Sequence, residues 1–265
     1  MRKHRVAATA ALLISAGSLS SPLIAHADSA ATYYVNDGAG ITCSDSTADS
    51  ATTPYCTIQA AVNAATTPGD TVIVRAGHYS PFTVTSSGTA AAPITIESST
   101  QAFRSSSVYV NSDSTATPVI SVNDASYVDL TGFNVTQSLA AGAVELSGST
   151  HIALTSLNIE ESKQTAEPTV AIGAGSSSVT VSRSEVTSAS TAGAIVAQGG
   201  SNDVFTTDYL PTSVYGPSLV LDQTTDSDVV GNTIGHGCGE DGAVRIVDLT
   251  GAKRGAGRHQ LVASR

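Results

Sequence analysis

Two short stretches of this 265-residue chain gather side chains that could do chemistry. Glu160-Glu161-Ser162-Lys163-Gln164-Thr165-Ala166-Glu167 sets a lysine among three carboxylates, and Arg183 and Glu185 follow one repeat later. A base held beside acids could move a proton at a reacting carbon. The same mixture in a protruding loop is also the composition of a solvated surface, and that reading is favoured here. The second stretch, His236-Gly237-Cys238-Gly239-Glu240-Asp241-Gly242, packs a histidine, a cysteine and two acids into six residues. No second histidine or cysteine pair completes a metal-ligand set, and its glycines suit a tight turn. Three single residues are weaker still. Asp222 falls where an apolar residue is expected, which is read as the end of a strand at Leu221. Asn134-Val135-Thr136 matches a glycosylation sequon but is equally explained by an asparagine ladder. His78 is assigned to the turn at Gly77. Catalytic residues are therefore unknown at this level, and no cofactor-binding or metal-binding residue is named.

Whatever these residues do depends on the elements that place them, and those are repeats. Similar tetrads begin at Val119, Ala143, Thr169, Ala194, Leu219 and Ala243, in steps of 24, 26, 25, 25 and 24 residues. A second series runs through Val128, Ile152, Val179, Val204 and Val229, and a third through Val135, Ile159, Val186, Leu210 and Ile234. Three short β-branched segments per period, separated by Gly, Ser, Asn, Asp and Thr, describe a chain wound into a parallel β-solenoid. One coil buries too few side chains to offset the entropy of ordering itself; a stack can, because its strands bond to both neighbours.

Alternation within the segments predicts which residues face out. For the first segment the inward pairs are Ile120 and Val122, Val144 and Leu146, Val170 and Ile172, Ile195 and Ala197, Val220 and Asp222, and Val244 and Ile246. Its outward residues are then Ser121, Glu145, Ala171, Val196, Leu221 and Arg245. The second segment presents Asp129, Ala153, Thr180, Phe205 and Val230, and the third Asn134, Asn158, Glu185, Tyr209 and Thr233. Glu145 and Arg245 lie four coils apart, roughly 19 Å. On no face do carboxylates stack in adjacent coils.

Arg2, Lys3 and Arg5 precede an apolar stretch, Val6 to Gly17, and Ala25-His26-Ala27 offers a cleavage site, so residues 1–27 read as a signal peptide. The protein is expected to be secreted. The chain carries 12 basic and 22 acidic residues, which disfavours nucleic acid and bare anionic membranes as partners. Cys43 and Cys56 flank a polar loop with little to bury and are expected to form a disulfide that orders it. Cys238 is left over. Residues 28–70 form an N-terminal cap, 71–251 the coils, and 252–265 an irregular basic stretch. The last coil opens at Ala243 without its second and third segments, as a fragment or an out-of-frame end would.

The N-terminal part has its own order. Thr32 to Asn36 reads as a strand; Thr57 to Ala65 places Ile58, Ala61, Val62 and Ala65 on one stripe of a short helix with Thr57 as N-cap; Asp70 to Tyr79 reads as a strand and a tight turn at Gly77. Residues 80–118 are expected to be irregular, with Phe82–Val84, Pro93–Ile96 and Val108–Val110 as strand candidates. Tyr33-Tyr34-Val35, then Pro54-Tyr55-Cys56-Thr57-Ile58-Gln59-Ala60-Ala61-Val62, then Pro68-Gly69-Asp70-Thr71 and Arg75-Ala76-Gly77-His78-Tyr79, resembles the N-terminal signature of secreted bacterial right-handed parallel β-helix proteins of the pectate-lyase-like superfamily. With the repeats, the resemblance covers residues 32–250.

The resemblance implies an all-β, right-handed parallel β-helix with a short N-terminal capping helix, the sense also usual for parallel crossovers. It implies a polysaccharide partner, and for a lyase a calcium ion held by carboxylates with an Arg or Lys abstracting a proton beside a uronate. The outward positions above do not supply that set. The expectation is an extracellular, monomeric protein that acts on or binds polysaccharide, with calcium only if it is a lyase. The alternatives are an active uronate lyase and a structural or adhesive solenoid.

Overall fold

The computed structural model describes residues 29–48, 50–100, 106–112, 117–139, 141–211, 213–235 and 244–247. The proposed signal peptide, the His236–Gly242 stretch with Cys238, and residues 252–265 lie outside them. Each turn of the chain lays one strand into each of three parallel sheets, one eight-stranded and two seven-stranded. The first-segment sheet stacks Phe82–Val84, Ile120–Asn123, Val144–Ser147, Val170–Ile172, Ile195–Gln198, Leu219–Asp222 and Val244–Val247. Inward side chains of the three sheets form one continuous core running from Val35 to Val229.

Residues 80–118 are more regular than their sequence suggests. Phe82 pairs opposite Ile120, Ile94 opposite Val128, and Tyr109 opposite Asn134. Their long connections hide the period, while the strands themselves hold full register.

The first-segment strand Leu219–Asp222 corrects the sequence reading. Leu219, not Val220, lies opposite Ile195, and Leu221 lies opposite Ala197. Leu219 and Leu221 are buried, and Asp222 ends the strand facing out beside Gln198. Ser218 takes the place that Ala194 holds one coil earlier, with its carbonyl accepting the Ile195 N–H. A slip of one residue turns every side chain over, so Val220 joins the outer face. The second segment shifts likewise: Phe205 is inward between Val181 and Val229, and Val204 takes the outer position. The third-segment face is as expected, Asn134, Asn158, Glu185, Tyr209 and Thr233 following one another in register.

What bends the chain between sheets is a set of left-handed residues in three columns. Asp124, Gly148, Gly175, Gly199 and Gln223 form one; Tyr127, His151, Ser178, Asn202 and Asp226 a second; Gly132, Ser156, Arg183, Thr207 and Gly231 a third. Most are not glycine, so each coil carries backbone strain that stacking must offset. Polar side chains close the corners from the next coil. Ala125 N–H donates to Ser149 Oγ at 3.2 Å, Leu157 N–H to Ser184 Oγ at 3.1 Å, and Asp208 N–H to Asn232 Oδ1 at 2.7 Å. Asn158 Nδ2 donates to Asn134 Oδ1 at 3.2 Å, the expected asparagine ladder.

At the N-terminal end the helix Ile58–Ala64 buries Ile58, Ala61 and Val62, and Thr57 Oγ1 accepts the Ala60 N–H at 3.2 Å. Its Gln59 receives the Thr83 N–H at 2.8 Å and donates to the Thr83 carbonyl at 3.0 Å, occupying the exposed edge of the first-segment sheet. The Cys43–Cys56 disulfide is formed. The loop it closes has a second organiser that the sequence did not reveal: Asp45 accepts the N–H groups of Cys56 and Thr57 at 2.8 and 3.0 Å.

Candidate functional site

The outer face of the first-segment sheet is the floor of a cleft. One part, of about 640 Å³, runs from Gln59 and Thr83 past Ser121, Asn123 and Asp124 to Glu145 and Ser147. The other, of about 500 Å³, continues from Glu145 and Ser147 over Ala171, Val196 and Gln198 to Val220, Asp222 and Arg245. Both share Glu145 and Ser147, so they form one groove across the coils. Two outward columns make the floor. Thr83, Ser121, Glu145, Ala171, Val196, Val220 and Arg245 follow in register, and Asn123 with Ser147, and Gln198 with Asp222, pair beside them. Sequence reasoning found the first column apart from the Leu221 error. It missed the second, whose polar residues are detectable only once strand ends are known.

One wall is the loop after Glu161, through Ala166, Glu167 and Pro168. This loop was expected to be solvated throughout. Glu160, Lys163 and Glu167 are indeed exposed, but Glu161 is buried, opposite Gln137 in the third-segment sheet. Its carboxyl oxygens accept hydrogen bonds from Thr165 Oγ1, at 2.9 Å, and from Thr169 Oγ1. Ser190 Oγ donates to the Glu167 carbonyl at 2.6 Å, and Thr191 Oγ1 to the Thr165 carbonyl at 2.9 Å. Burial pushes the Glu161 carboxyl above its usual range, and the two hydroxyls only partly offset this. Glu161 thus anchors the wall from inside and does not reach the cleft.

The other sequence candidates do not converge. Arg245 is exposed at one end of the cleft, and Glu145 stands four strands away in the same column. Arg183 takes a left-handed corner position, and Glu185 lies in the third-segment sheet, away from the cleft. His78 belongs to the strand Gly77–Tyr79, not to a turn, and stacks on Tyr109 with ring centroids 4.8 Å apart.

The calcium that the resemblance brings with it for a lyase does not fit these residues. Such an ion takes six to eight oxygen ligands, several from carboxylates. Glu145 has Ser121 and Ala171 as neighbours across the strands, and the described residues hold no group of three metal-ligating side chains. No step through calcium follows.

Two acids occupy inward positions that no sequence signal marked. Asp203 and Asp208 are buried at the ends of the strand Val204–Thr206, and each leaves its Oδ2 without a hydrogen-bond partner. Burial raises the Asp203 carboxyl to about 6 and the Asp208 carboxyl to about 7, against the pull of the backbone N–H groups that donate to them.

No family model matches the sequence, and no curated protein matches it. Solved structures do match. A pectate lyase, Pel9A, superposes with a TM-score of 0.53 at 15% identity over 82% of this chain and 62% of its own. A rhamnogalacturonan lyase gives 0.50 at 14% identity over 88% of this chain and 66% of its own. The chain thus spans under two thirds of the length of either. At such identity the likeness concerns the fold. No described helix is long and apolar enough to cross a membrane. In architecture the protein is a three-sheet parallel β-helix, a fold it shares with those two lyases.

Proposed function

We propose that the protein is exported and binds an extracellular polysaccharide along the cleft on its first-segment sheet without cleaving it. The observation that carries this reading is the cleft: one groove crosses the stacked coils, floored largely by small, hydroxyl and amide side chains, and among the described residues its carboxylates are scattered along it rather than stacked. An extended polymer suits an extended groove, and short polar side chains on a rigid sheet can bond hydroxyls at little entropic cost. The disulfide favours export, since such bonds persist outside the cytosol. The polysaccharide-cleaving neighbours of the same fold favour the ligand class by analogy alone.

Cleavage is the second reading, favoured by Arg245 and Asp222 lining the same end of the groove. Affinity electrophoresis through gels containing dissolved polysaccharides tests the first reading; retardation by at least one is expected. Incubation with polygalacturonate and other uronans plus Ca²⁺, followed by ultraviolet absorbance of unsaturated product, separates the two. Sustained product formation, lost in Arg245→Ala, would replace the binding reading by the lyase.

A further inference from the structure

The charge and lining of the groove point to an uncharged polysaccharide as its occupant, with uronate polymers excluded. This rests on the polysaccharide reading and names the ligand class of the same site. Among the described residues, the charged side chains of the groove are Asp124, Glu145, Glu167 and Asp222 against Arg245. Four carboxylates face one guanidinium, in a chain whose formal net charge is −10. A uronan brings a carboxylate with every acidic sugar. Each like-charge approach costs about 1 kcal/mol at 4 Å in water, and more against the low-dielectric wall of a cleft. Divalent cations relieve such repulsion only where several oxygens converge on the ion, and here the acids are spread along the groove rather than stacked.

The neutral lining supplies the positive half of the argument. Ser121, Asn123, Ser147 and Gln198 offer donors and acceptors without charge, and past Glu145 the floor continues over half-buried Ala171 and the largely covered Val196 and Val220. Hydroxyls and apolar ring faces are what a neutral sugar chain presents. A polymer of amino sugars would be attracted by the same four carboxylates, but its ammonium groups recur at every sugar, whereas the central column offers a single acid, Glu145, and ends on a cation, Arg245.

The test is quantitative affinity electrophoresis of the full protein against neutral polymers (galactan, arabinoxylan and a mixed-linkage glucan), polygalacturonate with and without Ca²⁺, and chitosan, each at 0.05 and 0.5 M NaCl. At least one neutral polymer should retard the protein, with an apparent Kd that changes less than twofold between the two salts. Polygalacturonate should bind at least tenfold more weakly. Ala171→Trp and Gln198→Trp, at a half-buried and an exposed position of the floor, should each weaken neutral binding at least tenfold while leaving the thermal midpoint within a few degrees. Tighter binding of polygalacturonate or chitosan, abolished by these variants, would overturn the neutral-ligand inference and leave the polysaccharide reading standing. Neutral binding untouched by both variants would place the ligand elsewhere and overturn it as well. Retardation by no polymer would end both.

Discussion

Ser184 donates its backbone N–H to Asp208 Oδ1 at 2.8 Å, while Oδ2 of the same carboxyl is buried with no partner. One column further on, Asn232 does for Asp208 what Asp208 does for Ser184, accepting its N–H through an amide oxygen. An acid thus sits in a ladder that an amide fills equally well, and as it ionises through the neutral range only backbone N–H groups offset the buried charge.

Stability should therefore fall as pH rises through the neutral range. The ordinary value for these carboxyls is 3.8, and burial lifts Asp203 to about 6 and Asp208 to about 7. The folded state binds the proton more tightly than the unfolded chain, so the associated stability is full below about pH 3.8 and is lost as pH climbs past the folded values. For Asp208 the upper bound is on the order of 4 kcal/mol. Asp208→Asn should raise the thermal midpoint at pH 8 and change it little at pH 4. Calorimetry across pH 4–8 checks this; a wild-type midpoint that rises over that range would contradict the assignment.

Glu161 should matter to the wall of the groove rather than to chemistry. Glu161→Ala removes the carboxyl acceptor of Thr165 Oγ1 and Thr169 Oγ1, leaving them the Glu167 carbonyl and Ser188 Oγ, at a cost of about 1–3 kcal/mol. Trypsin should then cut after the exposed Lys163 faster than in the wild type. Glu161→Gln, which keeps an acceptor oxygen, should restore most of the resistance. Equal cleavage rates in all three proteins would show that the loop is held by something else.

The register of the strand Leu219–Asp222 can be checked by a pair of substitutions. Leu221 is buried in the core, whereas Val220 lies on the floor of the groove. Leu221→Ala should cost about 2–5 kcal/mol by cavity formation, and Val220→Ala less, about 1–2 kcal/mol, since its side chain is largely covered but packs outside the core. Urea denaturation of both variants decides it, and a reversed order would restore the one-residue-shifted register.

Reduction of Cys43–Cys56 should be tolerated by the coils. The bridge closes a loop of sequence separation 13, worth about 3 kcal/mol in the chain-entropy model, and Asp45 still holds Cys56 and Thr57 through their N–H groups. Thermal melts with and without reductant should show a lower midpoint and an unchanged far-ultraviolet β signal at 25 °C. Loss of that signal on reduction would mean that the loop nucleates the solenoid.

The architecture was legible because it follows from local chemistry repeated. β-branched triplets at a near-constant period specify parallel stacking, and the stripe Ile58, Ala61 and Val62 after Thr57 specifies the helix. The site was only half legible. Ser121, Glu145 and Arg245 could be placed by alternation, but alternation has period two, and an unseen change of one residue in a turn inverts a strand. That is what hid Val220 and Asp222, and what made Phe205 look exposed. The left-handed corners were invisible because Tyr127, His151, Arg183 and Thr207 carry no local preference for that conformation. Only the stack, by fixing where each coil must turn, holds them there. Likewise nothing in the composition of Glu160–Glu167 or of Asp203 and Asp208 separates a buried carboxyl from a solvated one. Sequence determined the stack and its capping helix; tertiary register alone decided which polar residues line the groove and which are locked inside it.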